Sequence, residues 1–268
     1  MIAPHLDAWL QRLQQACAAA DIPHLYIIID QAGSHQPLLA AVQAVEPALC
    51  WHSLFDGLPE AAALNLAPLL VQVDWSQPQQ LHWLRSLLQA TDGQGRILAF
   101  VSRWPFSSLT RQLGHCMQAS LGGTLGLLRF YDPRVFPVLM GHVLDDGQRH
   151  RWLQPAVFWS WLDRDGQGQR LPGFDEPAVA REVLMPIELD DGQLEVLGCV
   201  SDATQALVNL EAHLPQAWSA EQRFQACYRG MVAASEAGEL SQGARQAWVL
   251  KTLRDSEAGD TGMEKISE

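Results

Sequence analysis

The run His24-Leu25-Tyr26-Ile27-Ile28-Ile29-Asp30 constrains the fold more than any other stretch of the chain. It is rich in β-branched residues, continuously apolar and closed by an acid, so it reads as a central strand buried on both faces. Such a strand needs a covering layer on each side, and the flanking sequence supplies helices. Before it, Leu6, Trp9, Leu10, Leu13 and Cys17 fall on one helical face. After it, helices expected over 36–46, 78–90 and 106–119 alternate with strands over 48–54, 68–73, 96–101 and 124–130. The alternation predicts an α/β lobe with a largely parallel sheet flanked by helices.

The last of these strands runs into Arg129-Phe130-Tyr131-Asp132-Pro133-Arg134. Asp132 is a good N-cap and Pro133 suits a first helical position, which predicts a helix over 133–144. Arg134 is the odd member. A guanidinium in the first turn opposes the helix dipole at a cost of about 0.3–1 kcal/mol, so an acid is expected to answer it. Asp30 and Asp74 are the internal candidates, and a partner's acid is the external one.

Beyond the motif helix the pattern changes. Val157 to Leu162 reads as an edge strand or a short helix, and residues 163–181 as a loop or long hairpin. Helical spacing dominates from Asp190 onward. Ser219-Ala220-Glu221-Gln222 matches a capping box, Gly238 suits the end of that helix, and Ser241 caps a last helix through Leu253. The expected organisation is an α/β lobe over 1–162, a linker or hairpin over 163–189, a smaller all-helical lobe over 190–254 and an acidic flexible tail over 255–268.

A net charge of -12 argues against a nucleic-acid surface, which needs clustered Lys and Arg. The start of the chain lacks the basic and apolar regions of a signal peptide, and no stretch approaches the ~18 apolar residues of a membrane helix. The five cysteines form no C-x-x-C pair and read as buried, reduced thiols of a cytoplasmic protein. Most of the ten tryptophans are expected in the core, with a minority facing a partner.

The histidines and cysteines carry no metal-ligand spacing, and neither a nucleophile elbow nor a phosphate loop is present, so no metal or cofactor is expected. Gly122-Gly123 reads as a turn. One enzyme-like arrangement survives. In a parallel sheet Asp30, Asp74, Arg103 and Asp132 would stand at or just past strand carboxyl ends, with Arg134 beside them. This gives the alternative of a small-molecule or nucleotide-binding α/β enzyme. The simpler alternative is a set of structural ion pairs.

Three segments, in this order, carry a resemblance: Tyr26 to Asp30; Leu54-Phe55-Asp56-Gly57-Leu58-Pro59-Glu60 leading to Ala67-Pro68-Leu69; and Leu128 to Val135. Together they resemble the family of type VI secretion adaptors, or effector chaperones, once known as a domain of unknown function. The resemblance covers about residues 24–145, with Gln31-Ala32 a departure where the family tends to a small residue. It implies a non-catalytic bacterial cytoplasmic protein that binds a secreted effector and helps load it onto the VgrG spike. Asp30, Phe55, Gly57, Pro59, Glu60, Pro68, Arg129, Phe130, Tyr131, Asp132, Pro133 and Arg134 carry over as a shared structural core.

Overall fold

A computed structural model describes residues 2–34, 38–178 and 185–263. The chain forms two compact units, Met1–Leu189 and Asp190–Glu268. The first begins with α1 (Pro4–Ala19), β1 (His24–Ile29), α2 (Leu38–Gln43), β2 (Cys50–Ser53), β3 (Leu69–Asp74), α3 (Pro78–Ala90) and β4 (Ile97–Val101). It continues with α4 (Phe106–His115), β5 (Gln118–Leu121), β6 (Thr124–Leu127), α5 (Phe136–Val138), α6 (Asp146–Leu153), β7 (Phe158–Leu162), β8 (Gly168–Pro172) and β9 (Ile187–Leu189).

The main sheet has six strands in the order β2-β3-β1-β4-β7-β8, and every neighbouring pair is antiparallel. This corrects the expectation of a largely parallel sheet. The alternation of strands and helices is real, but its two crossovers interleave. β1-α2-β2 and β3-α3-β4 each join strands that run in the same direction, and each leaves a gap of one strand. β3 fills the first gap and β1 the second, so parallel partners never touch. The result is the β-α-β-β-α-β split arrangement, extended at one edge by the β7–β8 hairpin. Composition and periodicity are alike in the two topologies, because the central strands are buried on both faces in each.

β1 occupies the centre as its apolar run demands, with Leu25 to Ile29 all buried. Leu25, Ile27 and Ile29 join the core beneath α1, α2 and α3, built with Leu10, Leu13, Leu38, Val42, Leu84 and Leu88. Tyr26 points to the opposite face, where aromatic rings continue the layer. Tyr26 stacks on Phe100 at 5.1 Å, Phe100 on Trp159 at 4.5 Å, and Phe136 packs against Trp159 at 5.1 Å. β7 is therefore an inner strand, with β8 outside it.

A second, three-stranded sheet runs β6-β5-β9, with β5 and β9 parallel. The helix expected over 106–119 ends early because Gly122 and Gly123, both at positive φ, make a two-residue hairpin turn that recruits residues on either side as strands. The motif helix is also shorter than expected. Pro137 lacks the amide that a helix begun at residue 133 would need, so the helix starts at Phe136 and passes into a π turn over Leu139–Val143.

In the second unit helices dominate the described residues. α7 (Asp191–Asn209), α8 (Ala220–Glu236) and α9 (Gln242–Met263) are its main elements. Capping boxes open α7 at Asp190 and α8 at Ser219, while Ser241 accepts from the Ala244 amide at the start of α9. α9 extends past the expected end at Leu253, and residues 264–268 of the expected tail lie outside the described residues.

Candidate functional site

Antiparallel pairing places the end of β1 beside the beginnings of β3 and β4, with Ile29 opposite both Leu69 and Ile97. The chain that leaves or enters those strands converges there. The Asp30 amide donates to the Arg96 carbonyl at 2.9 Å, fixing the first residue past β1. One Asp30 carboxylate oxygen accepts from the Ala32 amide at 2.9 Å, and the other accepts from Arg129 Nη2 at 2.7 Å.

Asp132 is held as tightly. Its Oδ1 accepts from both the amide and Nε of Arg134 at 2.9 Å, and its Oδ2 accepts from Arg134 Nη2 at 2.7 Å. Its carbonyl accepts from the Val135 and Phe136 amides. Asp132 thus caps a tight turn, not a helix. The acid that answers Arg134 is Asp132 itself, in place of the expected Asp30 or Asp74. Arg129 links the two acids, since its Nη2 also stands 3.8 Å from Asp132 Oδ2.

The carboxylates are inside and the cations form the cover. Asp30 and Asp132 are 2% and 4% exposed, whereas the Arg129 and Arg134 side chains are 47% and 49% exposed. Arg134 lays its stem against Gly95, whose Cβ would sit 3.2 Å from Arg134 Cγ and whose φ of 60° belongs to the left-handed region. Arg129 lies 5.7 Å from the centre of the Tyr131 ring. Burial works to lower the Arg129 pKa, but Asp30, then Tyr131 and Asp132, hold it above the usual arginine value. The Asp132 hydrogen bonds do most to raise that of Arg134. Burial, assisted by Asp30, pushes the Tyr131 phenol up to about 12, so it stays protonated.

Two residues complete the cluster without having been singled out in the sequence as members of it. Arg96 donates from Nη1 to the carbonyls of Asp30 and Ala32 at 3.1 and 2.8 Å, and from Nε to Gln94. Gln31 is buried and donates to the carbonyls of Leu64 and Ala67 at 3.0 and 2.7 Å. Gln31, the departure from the family pattern, therefore clamps the loop that carries the second family segment. In that loop Phe55 and Pro68 are buried, Gly57 takes a positive φ, and Pro59 opens a short 3-10 turn that includes Glu60. Phe130 lies in the core against Trp152 at 5.7 Å, and Pro133 forms part of the Asp132 turn. Nothing in the residue pattern marked Arg96, because it meets Asp30 only through the antiparallel pairing of β1 and β4.

The enzyme-like set does not assemble. Asp74 sits opposite His24, at the other end of the sheet from Asp30. Arg103 is also there, pairing with Asp175 at 3.1 Å and donating to the Ala20 carbonyl. What the cluster can do chemically is limited, because each carboxylate is engaged by a guanidinium and a backbone amide. No group of three or more His, Cys, Asp or Glu suited to a metal ion occurs among the described residues.

All ten tryptophans are buried or half-buried, so none stands out as an exposed anchor. Of the cysteines, Cys17, Cys116, Cys199 and Cys227 are buried as expected, but Cys50 is exposed. No described helix is long and apolar enough to cross a membrane.

The fold and cluster together define a split-βαβ unit whose charged motif residues fasten the loops at one end of a sheet. Residues 25–151 match the family model described as a domain of unknown function, DUF4123. No curated protein and no solved structure matches the chain. The matched span runs from β1 to α6, leaving α1, β7 and β8 outside it.

Proposed function

We propose that this protein is a non-catalytic adaptor of a bacterial type VI secretion system. It binds an effector in the cytoplasm and helps load it onto the VgrG spike. The reading comes from the resemblance of its three segments to that adaptor family, and the match to DUF4123 over residues 25–151 agrees with it. The observation that carries the non-catalytic part is the mutual engagement of Asp30, Arg129, Asp132 and Arg134. Four charged residues of the most distinctive motifs neutralise one another, and they leave no free base or nucleophile in the cluster.

Co-expression with the effector and VgrG encoded in the same gene cluster tests the proposal. The tagged protein is expected to retain the effector, and the spike through it, in stoichiometric amounts. Retention of neither removes the adaptor reading.

A further inference from the structure

In the three-stranded sheet, side chains alternate between a core face and an outer face. Ala119, Ile187 and Leu189 are buried on the core face. On the outer face β5 and β9 carry polar residues, Gln118, Ser120 and Glu188. The register sets Leu125 opposite Ser120 and Leu127 opposite Gln118, so both leucines of β6 share that outer face. Leu125 is 57% and Leu127 40% exposed. A sheet with one solvated face keeps its apolar side chains on the other, so two leucines facing water need a further reason.

β6 is also an edge strand. It pairs with β5, and no strand lies beyond it among the described residues. The Leu128 amide donates to the Met117 carbonyl at 2.8 Å, in step with the β5–β6 register. Hydrogen-bonded pairs alternate along an antiparallel ladder. Thr124, Gly126 and Leu128 therefore turn their backbone groups to β5, while Leu125 and Leu127 turn theirs to the open edge. Other edges carry features that discourage pairing: β8 has Arg170 and ends at Pro172, and β9 has Glu188. β6 has none of these, and residues 117–128 hold no charged side chain in a chain of net charge -12. Gly126 lies between the two leucines, and nothing within the chain calls for glycine there. Its φ is outside the left-handed region, and a Cβ would make only ordinary contact with Leu121 at 3.7 Å. Glycine inside a strand often marks the close approach of another backbone.

We infer that β6 pairs antiparallel with β6 of a second copy about a two-fold axis at Gly126, joining the two small sheets into one. Leu125 then lies opposite Leu127 of the second copy, and each such pair exchanges both of its backbone hydrogen bonds. Gly126 meets its own counterpart on the axis as a non-hydrogen-bonded pair, where Cα atoms approach to about 4.5 Å. The four leucines adjoin on one face. A second copy suits this edge better than an unrelated strand because the edge is complementary to itself. One register satisfies the outward amides and carbonyls of both leucines and sets apolar side chains against apolar ones. It also brings two acidic chains together along an uncharged segment. The two-fold axis closes the assembly at a dimer. None of this depends on the adaptor reading.

Sedimentation of the full-length protein is expected to show a dimer and that of L125K/L127K a monomer. The variant should keep the circular dichroism of the wild type, because both side chains are exposed. Mixed with L125E/L127E, it is expected to regain the dimer mass, since each lysine then lies opposite a glutamate. Hydrogen exchange needs no variant: the Leu125 and Leu127 amides should be protected in the wild type, although they face away from β5. A monomeric wild type overturns the inference. So does a dimer that L125K/L127K leaves intact, or a lysine–glutamate mixture that stays monomeric. Protection of the two amides that arises only when an effector is bound assigns the edge to an effector strand and also overturns it. In each case the adaptor reading stands, because retention of the effector by the tagged protein tests it separately.

Discussion

Removing the Arg134 guanidinium leaves the Asp132 carboxylate, 4% exposed, with one backbone amide and an arginine 3.8 Å away. Lost charge-assisted hydrogen bonds of this kind cost about 1–3 kcal/mol. Arg134→Ala is therefore expected to lower the melting temperature by several degrees, and Arg134→Lys to recover only part, since an ammonium cannot make the paired contact. Thermal unfolding of the three proteins checks this. A second residue-scale expectation concerns His24, whose pKa is lowered chiefly by burial and whose Nε2 is buried without a hydrogen-bond partner among the described residues. The unfolded state then binds more protons, so stability rises with pH through this window. The contribution of the neutral ring is present above pH ~6.5 and is lost as pH falls below it. Denaturant titrations between pH 7.5 and 5 should show a shallower loss for His24→Phe than for the wild type. A third is chemical: Cys50 is expected to be alkylated in the native protein while Cys17, Cys116 and Cys227 are spared. Burial hides those three and pushes their thiols up to about 11 or 12; it also raises the Cys50 thiol, so the selectivity comes from the exposure of Cys50. Peptide mapping after brief iodoacetamide treatment reads this directly. At this scale the sequence made the need for an acid near Arg134 legible, because a first-turn arginine is an electrostatic anomaly. Its identity was hidden because a side chain folding back two residues leaves no mark on periodicity.

Between helices, one substitution has opposite expected effects at two glycines. A Cβ on Gly230 of α8 would lie 2.6 Å from Val249 Cα of α9, backbone that cannot turn aside. Gly230→Ala is expected to cost about 1–3 kcal/mol and to raise hydrogen exchange in α8 and α9. Gly198, within α7, has nothing within 4 Å of the same position. Gly198→Ala is expected to stabilise the helix by about 0.5–1 kcal/mol. Helix starts at this scale were legible wherever a side chain caps locally, as at Ser219 and Ser241, because the signal and its partner lie within three residues. Strand direction was not. It depends on which strand fills the gap left by each crossover, and that choice joins β1 to β3 and β4 across 40 residues or more. The early end of α4 and the late start of α5 were readable in principle, from the Gly122-Gly123 pair and from Pro137.

Across the molecule, the three segments that carry the family resemblance lie at one end of one sheet, and Gln31 ties the second to the first. The first unit, however, is larger than the span of similarity. Ala99, Phe100 and Val101 of β4 pair with Ser160, Trp159 and Phe158 of β7, and Phe100 stacks on Trp159 at 4.5 Å. A protein cut back to residues 25–151 would keep the sheet from β2 to β4 and lose everything beyond it. The unsatisfied amides and carbonyls of β4 would then face solvent along a wholly apolar strand, a template for joining a second molecule edge to edge. Such a fragment is expected to scatter light increasingly with concentration, and a fragment ending at Leu189 to remain monodisperse. The limits of recognisable ancestry and the limits of solubility thus fall at different places in this chain, and expression of the domain should follow the latter.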